Sequence, residues 1–108
     1  MLHELRVYRC VPGKLLSLHK RFETIVLPMW QKYGIRAVGF WTVAIGATNQ
    51  DLYYLLEWRN LAEREEKWNA FSTDAEWLKA RAETERDGTL VAHATNYILT
   101  PTDYSPLR

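Results

Sequence analysis

The chain has 108 residues, a net charge of +1 and 25% charged residues with acids and bases interspersed, so it is sized for one domain and carries no electrostatic footprint for nucleic acid. Its single cysteine excludes an intrachain disulfide and a cysteine metal site, and Cys10 reads as a buried, inert thiol. No apolar run approaches the roughly 18 residues that span a membrane, and MLHELRV lacks the basic-then-apolar order of a signal peptide, so a cytoplasmic protein is expected.

Residues 3–14, HELRVYRCVPGK, read as a strand stopped by Pro12-Gly13. Alternation sets Leu5 and Val7 on one face and Glu4, Arg6 and Tyr8 on the other. The run KLLSLHKRFETIVLPMWQKY then places Leu15, Leu18, Phe22, Val26, Met29 and Tyr33 on one helical stripe. Pro28 is expected to kink or restart this helix, and Gly34 to end it. Residues 35–46, IRAVGFWTVAIG, and 52–59, LYYLLEWR, form a hairpin across GATNQD. Asn60 with Glu63 makes a capping box that launches LAEREEKWNAF, with Leu61, Arg64 or Glu65, Trp68 and Phe71 inward and the EREEK run as a solvated face. Thr73 with Glu76 reads as a second capping box, breaking the helix near Ser72 and starting another that runs to about Arg86 before Gly88. Residues 90–99, LVAHATNYIL, are the last strand, and TPTDYSPLR is a tail.

The order β-α-β-β-α-β predicts an α+β, ferredoxin-like domain over residues 1–108, its antiparallel four-stranded sheet ordered 4-1-3-2 with the helices on one face. Five Trp, six Tyr and three Phe are more ring surface than one small core needs, which points to a second buried surface or a cavity. The strands are apolar on both sides, as in Phe40-Trp41, Tyr53-Tyr54 and Leu55-Leu56, so the uncovered face is expected to meet an identical sheet in a homodimer. On this reading Leu5 and Val7 face the helices. Glu4 and Arg6 face the partner chain, with Glu57 and Arg59 of the third strand as their charge partners.

Candidate site residues are few. Arg6 and Tyr8 form either a charged ladder at the dimer interface or a pair that binds an anionic or phenolic ligand. His19, beside the apolar stripe, is either a satisfied boundary histidine or a base facing a pocket, and with haem as ligand it would give a Soret band. Trp41, Trp68 and Trp77 are core rings or the walls of a planar-ligand pocket. His93 sits on a strand whose facing the alternation leaves open, and His3 reads as solvated. Three histidines without metal spacing, isolated glycines and no nucleophile elbow leave no metal, no cofactor and no catalytic motif to assign.

HELRVYRCVPGK, IGATNQDLYYLLEW, NLAEREEKW, DAEWLKA and NYILTPTDYSPL together resemble the NIPSNAP family of the dimeric α/β-barrel superfamily, over essentially the whole chain. The resemblance implies a ferredoxin-like domain that dimerises sheet to sheet. It supplies no residue roles, because the family has no agreed catalytic motif. Superfamily relatives include cofactor-free monooxygenases, haem-degrading enzymes and small isomerases that use a pocket between helices and sheet, a fold-level analogy that makes His19 a base by location only. Eukaryotic members are associated with mitochondria and carry extra N-terminal sequence, whereas this chain opens at its first strand, which implies a bacterial, stand-alone cytoplasmic domain. Two functions are thus expected: binding of a small apolar or aromatic molecule or a protein partner, or cofactor-independent oxygenase or isomerase chemistry at His19.

Overall fold

In a computed structural model that describes residues 1–108, strands β1 (Leu2–Cys10), β2 (Arg36–Thr42), β3 (Asp51–Trp58) and β4 (Val91–Leu99) form one antiparallel sheet in the order β2-β3-β1-β4. This is the expected ferredoxin-like order, read from the opposite edge. Helix α1 (Leu15–Arg21), a π-helical segment (Phe22–Val26) and α2 (Leu27–Tyr33) follow β1 without a break, while α3 (Leu61–Ser72) and α4 (Ala75–Thr84) precede β4. No helix is long and apolar enough to cross a membrane.

The expected kink at Pro28 takes the form of a wide turn just before it. Proline has no N–H to donate, and the Leu27 N–H reaches back five residues to the Phe22 carbonyl instead of four. Gly34 ends α2 in the left-handed conformation, at φ +72°, which a side chain would strain. The N–H of Ile35 then donates to the Trp30 carbonyl at 2.9 Å.

At the start of α3 the Asn60 side chain accepts the Glu63 N–H at 2.8 Å, as the capping box requires. The cap of α4 is Asp74, not Thr73: the Asp74 carboxylate accepts the Trp77 N–H at 3.0 Å, and the Thr73 hydroxyl turns back to the Asn69 carbonyl at 2.7 Å. Aspartate is one residue closer to the helix and accepts more strongly, so it takes the capping position.

The facing of β1 is the reverse of the expected one. In the register, Glu4 pairs with Leu56 and Arg6 with Tyr54, and Arg64 of α3 donates to both oxygens of the Glu4 carboxylate. Glu4, Arg6 and Tyr8 therefore point at the helices, while Leu5 and Val7 point away. Glu57 pairs with His3 on the open face and Arg59 donates to Glu63, so neither is a partner of Glu4 or Arg6. His3 is buried rather than solvated, and its Nε2 has no partner. Leu61 lies outside, exposed, and Arg64 rather than Glu65 takes the inward place.

The EREEK run is likewise more than a solvated face. Glu63 is buried and accepts from Arg36, Arg59 and Lys67 at 2.8 to 3.2 Å, tying α3 to β2 and to the end of β3. These bonds hold its carboxyl far below the ordinary range, with Arg36 the strongest influence.

Between sheet and helices the core is built of rings. Tyr54, fully buried, packs edge-on against Tyr8 at 5.2 Å, against Phe22 at 5.4 Å and nearly flat on Phe40 at 5.4 Å, with Trp30 behind at 5.7 Å. Cys10 is buried, as expected, and burial pushes its thiol up. The sheet is apolar on its other face too. Leu5, Val7, Tyr53 and Leu55 sit at its centre, with Trp41, Tyr97 and Leu99 half exposed around them.

Candidate functional site

Two hollows open between helices and sheet, one at each sheet edge. The first, about 390 Å³, lies between β4 and the junction of α1 with the π-helical segment, and is closed by α3 and α4. The second, about 420 Å³, is a groove between α1 and the β2 edge. Phe22 borders both.

The residues read as site candidates divide between them. Arg6, Tyr8, Trp68 and Trp77 meet in the β4-side cavity, whereas His19 and Trp41 meet in the β2-side groove. His93 pairs with Arg9 and faces away from the helices, its backbone running along the cavity rim. No group of His, Cys, Asp and Glu is arranged to hold a metal ion.

Arg6 reaches the β4-side cavity with its donors already engaged. Its Nε donates to the Tyr54 hydroxyl at 2.7 Å, and its two terminal nitrogens donate to Glu4 at 2.9 Å and Tyr8 at 3.2 Å. The guanidinium also lies 4.6 Å from the centre of the Trp68 ring. Burial works against its charge, yet Tyr54, Tyr8 and Glu4 outweigh this and raise its pKa. Arg6 is therefore a fixed wall of the cavity, held through all three of its nitrogens. Tyr54 is pushed up chiefly by burial and stays a neutral phenol.

Glu4 anchors this wall. It is fully buried and accepts from Trp58 at 3.0 Å, Asn96 at 2.9 Å, Arg6 at 2.9 Å and Arg64 at 2.8 Å. Burial alone would raise its carboxyl, but the bonds from Arg64, Asn96 and Trp58, with the Arg6 charge, hold it at about 2. β1, β3, β4 and α3 are thus joined at one ionised carboxylate, which fixes the floor of the cavity.

Two functional candidates had not been singled out from the sequence. Arg21, 7% exposed, closes the cavity with its guanidinium 5.6 Å from the centre of the Trp77 ring. Only its Nη1 has a partner, the Thr84 hydroxyl at 3.4 Å, with Glu85 at 4.0 Å. Glu85 is engaged more closely by Arg81, at 3.2 Å. Burial lowers the Arg21 pKa against the pull of Glu85. The second is Trp30, which lines the same cavity with a buried indole N–H that donates to nothing. A sequence signal existed for both: Arg21 lies three residues after Leu18, and Trp30 four after Val26, at stripe spacing.

His19 is half-buried at the groove and its imidazole has no hydrogen-bond partner in the chain. Phe40 and Leu52 make the opposite wall, and Trp41, whose ring lies on the open face of the sheet over Gly39, meets the groove at its rim.

The comparisons agree with this architecture. No curated protein matches the chain. A NIPSNAP family protein with unknown function from Agrobacterium tumefaciens is 27% identical, with a TM-score of 0.86 over 100% of this chain and 94% of that one. A NIPSNAP domain protein from Burkholderia xenovorans is 23% identical, with a TM-score of 0.84 over 98% and 99%. An antibiotic biosynthesis monooxygenase shares the fold alone, at 8% identity and a TM-score of 0.61 over 94% and 99%. With the NIPSNAP family profile matching residues 3–106, the chain belongs to the NIPSNAP family.

Proposed function

We propose that this NIPSNAP chain is a homodimeric binding domain whose ligand is a small apolar or aromatic molecule held in the β4-side cavity. The observation that carries this reading is the make-up of that cavity: about 390 Å³ walled by Trp30, Trp68, Phe71 and Trp77, with two buried donors on its lining left unpaired. The volume is that of a ligand pocket, and an apolar wall with a few convergent polar groups is how such pockets recognise their ligands. The floor is preorganised, since Glu4 and Arg6 are locked by bonds that a ligand need not form.

The homodimer is supported by the second sheet face. Leu5, Val7, Tyr53, Leu55, Trp41, Tyr97 and Leu99 make one continuous apolar surface on the side that the helices leave open. A second copy offers the same surface in return. A cytoplasmic location belongs to the same reading and is supported by the free, buried thiol of Cys10.

Calorimetric titration with 1-naphthol, a neutral two-ring probe, tests the binding function. Binding with a dissociation constant below about 1 mM, abolished when Ala94→Trp fills the cavity, is the expected result. No heat of binding, or binding untouched by Ala94→Trp, contradicts it.

A second reading rests on the unpartnered His19 imidazole at the β2-side groove, where it is placed to take a proton from a bound molecule. It makes the chain a cofactor-independent oxygenase or isomerase. The monooxygenase of like fold lends this reading its reaction class and no residues, at 8% identity.

A further inference from the structure

Every nitrogen of Arg6 donates within the protein and Arg81 is largely exposed, which leaves one buried cation at the cavity with nitrogens that have no partner. That cation is Arg21, whose Nε and Nη2 make no hydrogen bond while Nη1 is held by Thr84. Nε–H and Nη2–H form one edge of the guanidinium fork, the edge that receives a carboxylate side-on through two parallel bonds. Leaving a buried charged donor unpaired is costly, and native proteins rarely keep such a group without a use for it.

The surroundings fix the rest of the ligand. The Arg21 guanidinium is stacked on Trp77, and Phe71 lies 4.9 Å from Trp77 and 5.4 Å from Trp68, so rings line the space next to the fork. Trp30, also on the lining, keeps a second buried donor without a partner. The charged side chains at the cavity are Arg6, Arg21 and Arg81 against Glu85, and Glu85 is turned to Arg81. Glu4 is shared between Arg6 and Arg64, and Glu85 between Arg81 and the more distant Arg21, so the cavity keeps a net positive charge.

We infer that the cavity ligand is a planar aromatic monocarboxylate, its carboxylate on the Nε–Nη2 edge of Arg21 and its ring between Trp68 and Trp77. A carboxylate matches the fork in shape and the buried cation in charge, and the rings beside it suit a planar aromatic body. This rests on the binding function proposed above and specifies the chemistry of its ligand.

Calorimetric titration of the full chain with 2-naphthoate and 2-naphthamide, molecules of equal shape, tests the charge. The expected result is that 2-naphthoate binds at least tenfold more tightly, as a charge-assisted pair requires. Arg21→Gln removes that preference, the two probes then binding within about twofold of each other, and an unchanged circular dichroism spectrum shows that the variant is folded. Arg21→Lys keeps the charge without the fork and retains only part of the preference. If 2-naphthoate and 2-naphthamide bind equally well in the unmodified chain, or if Arg21→Gln keeps the preference, the inference is wrong and the binding function stands. If neither probe binds, both are wrong.

Discussion

Arg64 of α3 donates to both oxygens of the Glu4 carboxylate, at 2.8 and 3.1 Å, across 60 residues of chain. The pair joins the first strand to α3, and it is the reason the charged face of β1 looks inward. Glu4 is held at about 2 against an ordinary value of 4.5, a depressed pKa, so its stabilisation is present above pH 4.5 and is lost as the pH falls toward 2. The shift corresponds to roughly 3 kcal/mol at neutral pH. Urea unfolding between pH 7 and pH 2.5 should show this loss. In Glu4→Gln, stability at pH 7 should fall by roughly 3 kcal/mol and the acid limb should flatten. An unchanged limb in that variant would place the acid sensitivity elsewhere.

Asp74 caps α4 and also receives the Tyr33 hydroxyl, which links α2 to α4. Asp74→Ala should cost about 1 to 2 kcal/mol, and Thr73→Ala less than half of that. Equal losses, measured as shifts in thermal midpoint, would return the cap to Thr73.

The inward charges on β1 mark the limit of what one sequence discloses. Element order, the sheet order and the two-sided strands were legible, because period and capping are local signals. Alternation separates Glu4, Arg6 and Tyr8 from Leu5 and Val7 but does not say which set faces in. A charged row reads as outward by default, and here Arg64 and Asn96, both distant in the chain, reverse it. The same holds at the site. Arg6, Tyr8, Trp68 and Trp77 share a cavity as their residue types suggested, yet His19 and Trp41 belong to the other edge of the sheet. Arg21 was hidden within the basic pair Lys20-Arg21, since only the packing of α4 shows that one of the two is buried.

A sheet-to-sheet dimer makes a clear demand on the open face. Sedimentation at micromolar concentration should give twice the chain mass, and Leu55→Glu should shift it toward the monomer without unfolding the chain. The indole of Trp41 lies across Gly39, where an added Cβ would come within 2.8 Å of the ring, so Gly39→Ala should tilt Trp41 and weaken the dimer more mildly. A monomer in the unmodified chain would remove the dimer.

His19 separates the two readings of function. If it is a catalytic base, oxygen uptake or isomerisation with an aromatic substrate should vanish in His19→Ala. For the binding domain, His19→Ala should leave affinity for 1-naphthol within about twofold, because the β4-side cavity does not include it. Absence of a Soret band on titration with haemin removes haem from the first case.

An aromatic carboxylate is inferred to bind with its carboxylate on Arg21 and its ring between Trp68 and Trp77. The ¹H–¹⁵N spectrum of the full chain, with its five indole N–H signals and the arginine Nε–H signals, reports on it directly during titration with 2-naphthoate. The expected result is a saturable shift of the Trp30, Trp68 and Trp77 indoles together with Arg21 Nε–H, while Trp41 on the far edge stays in place. Shifts confined to Trp41, or an Arg21 Nε–H signal that does not move at saturation, would contradict it.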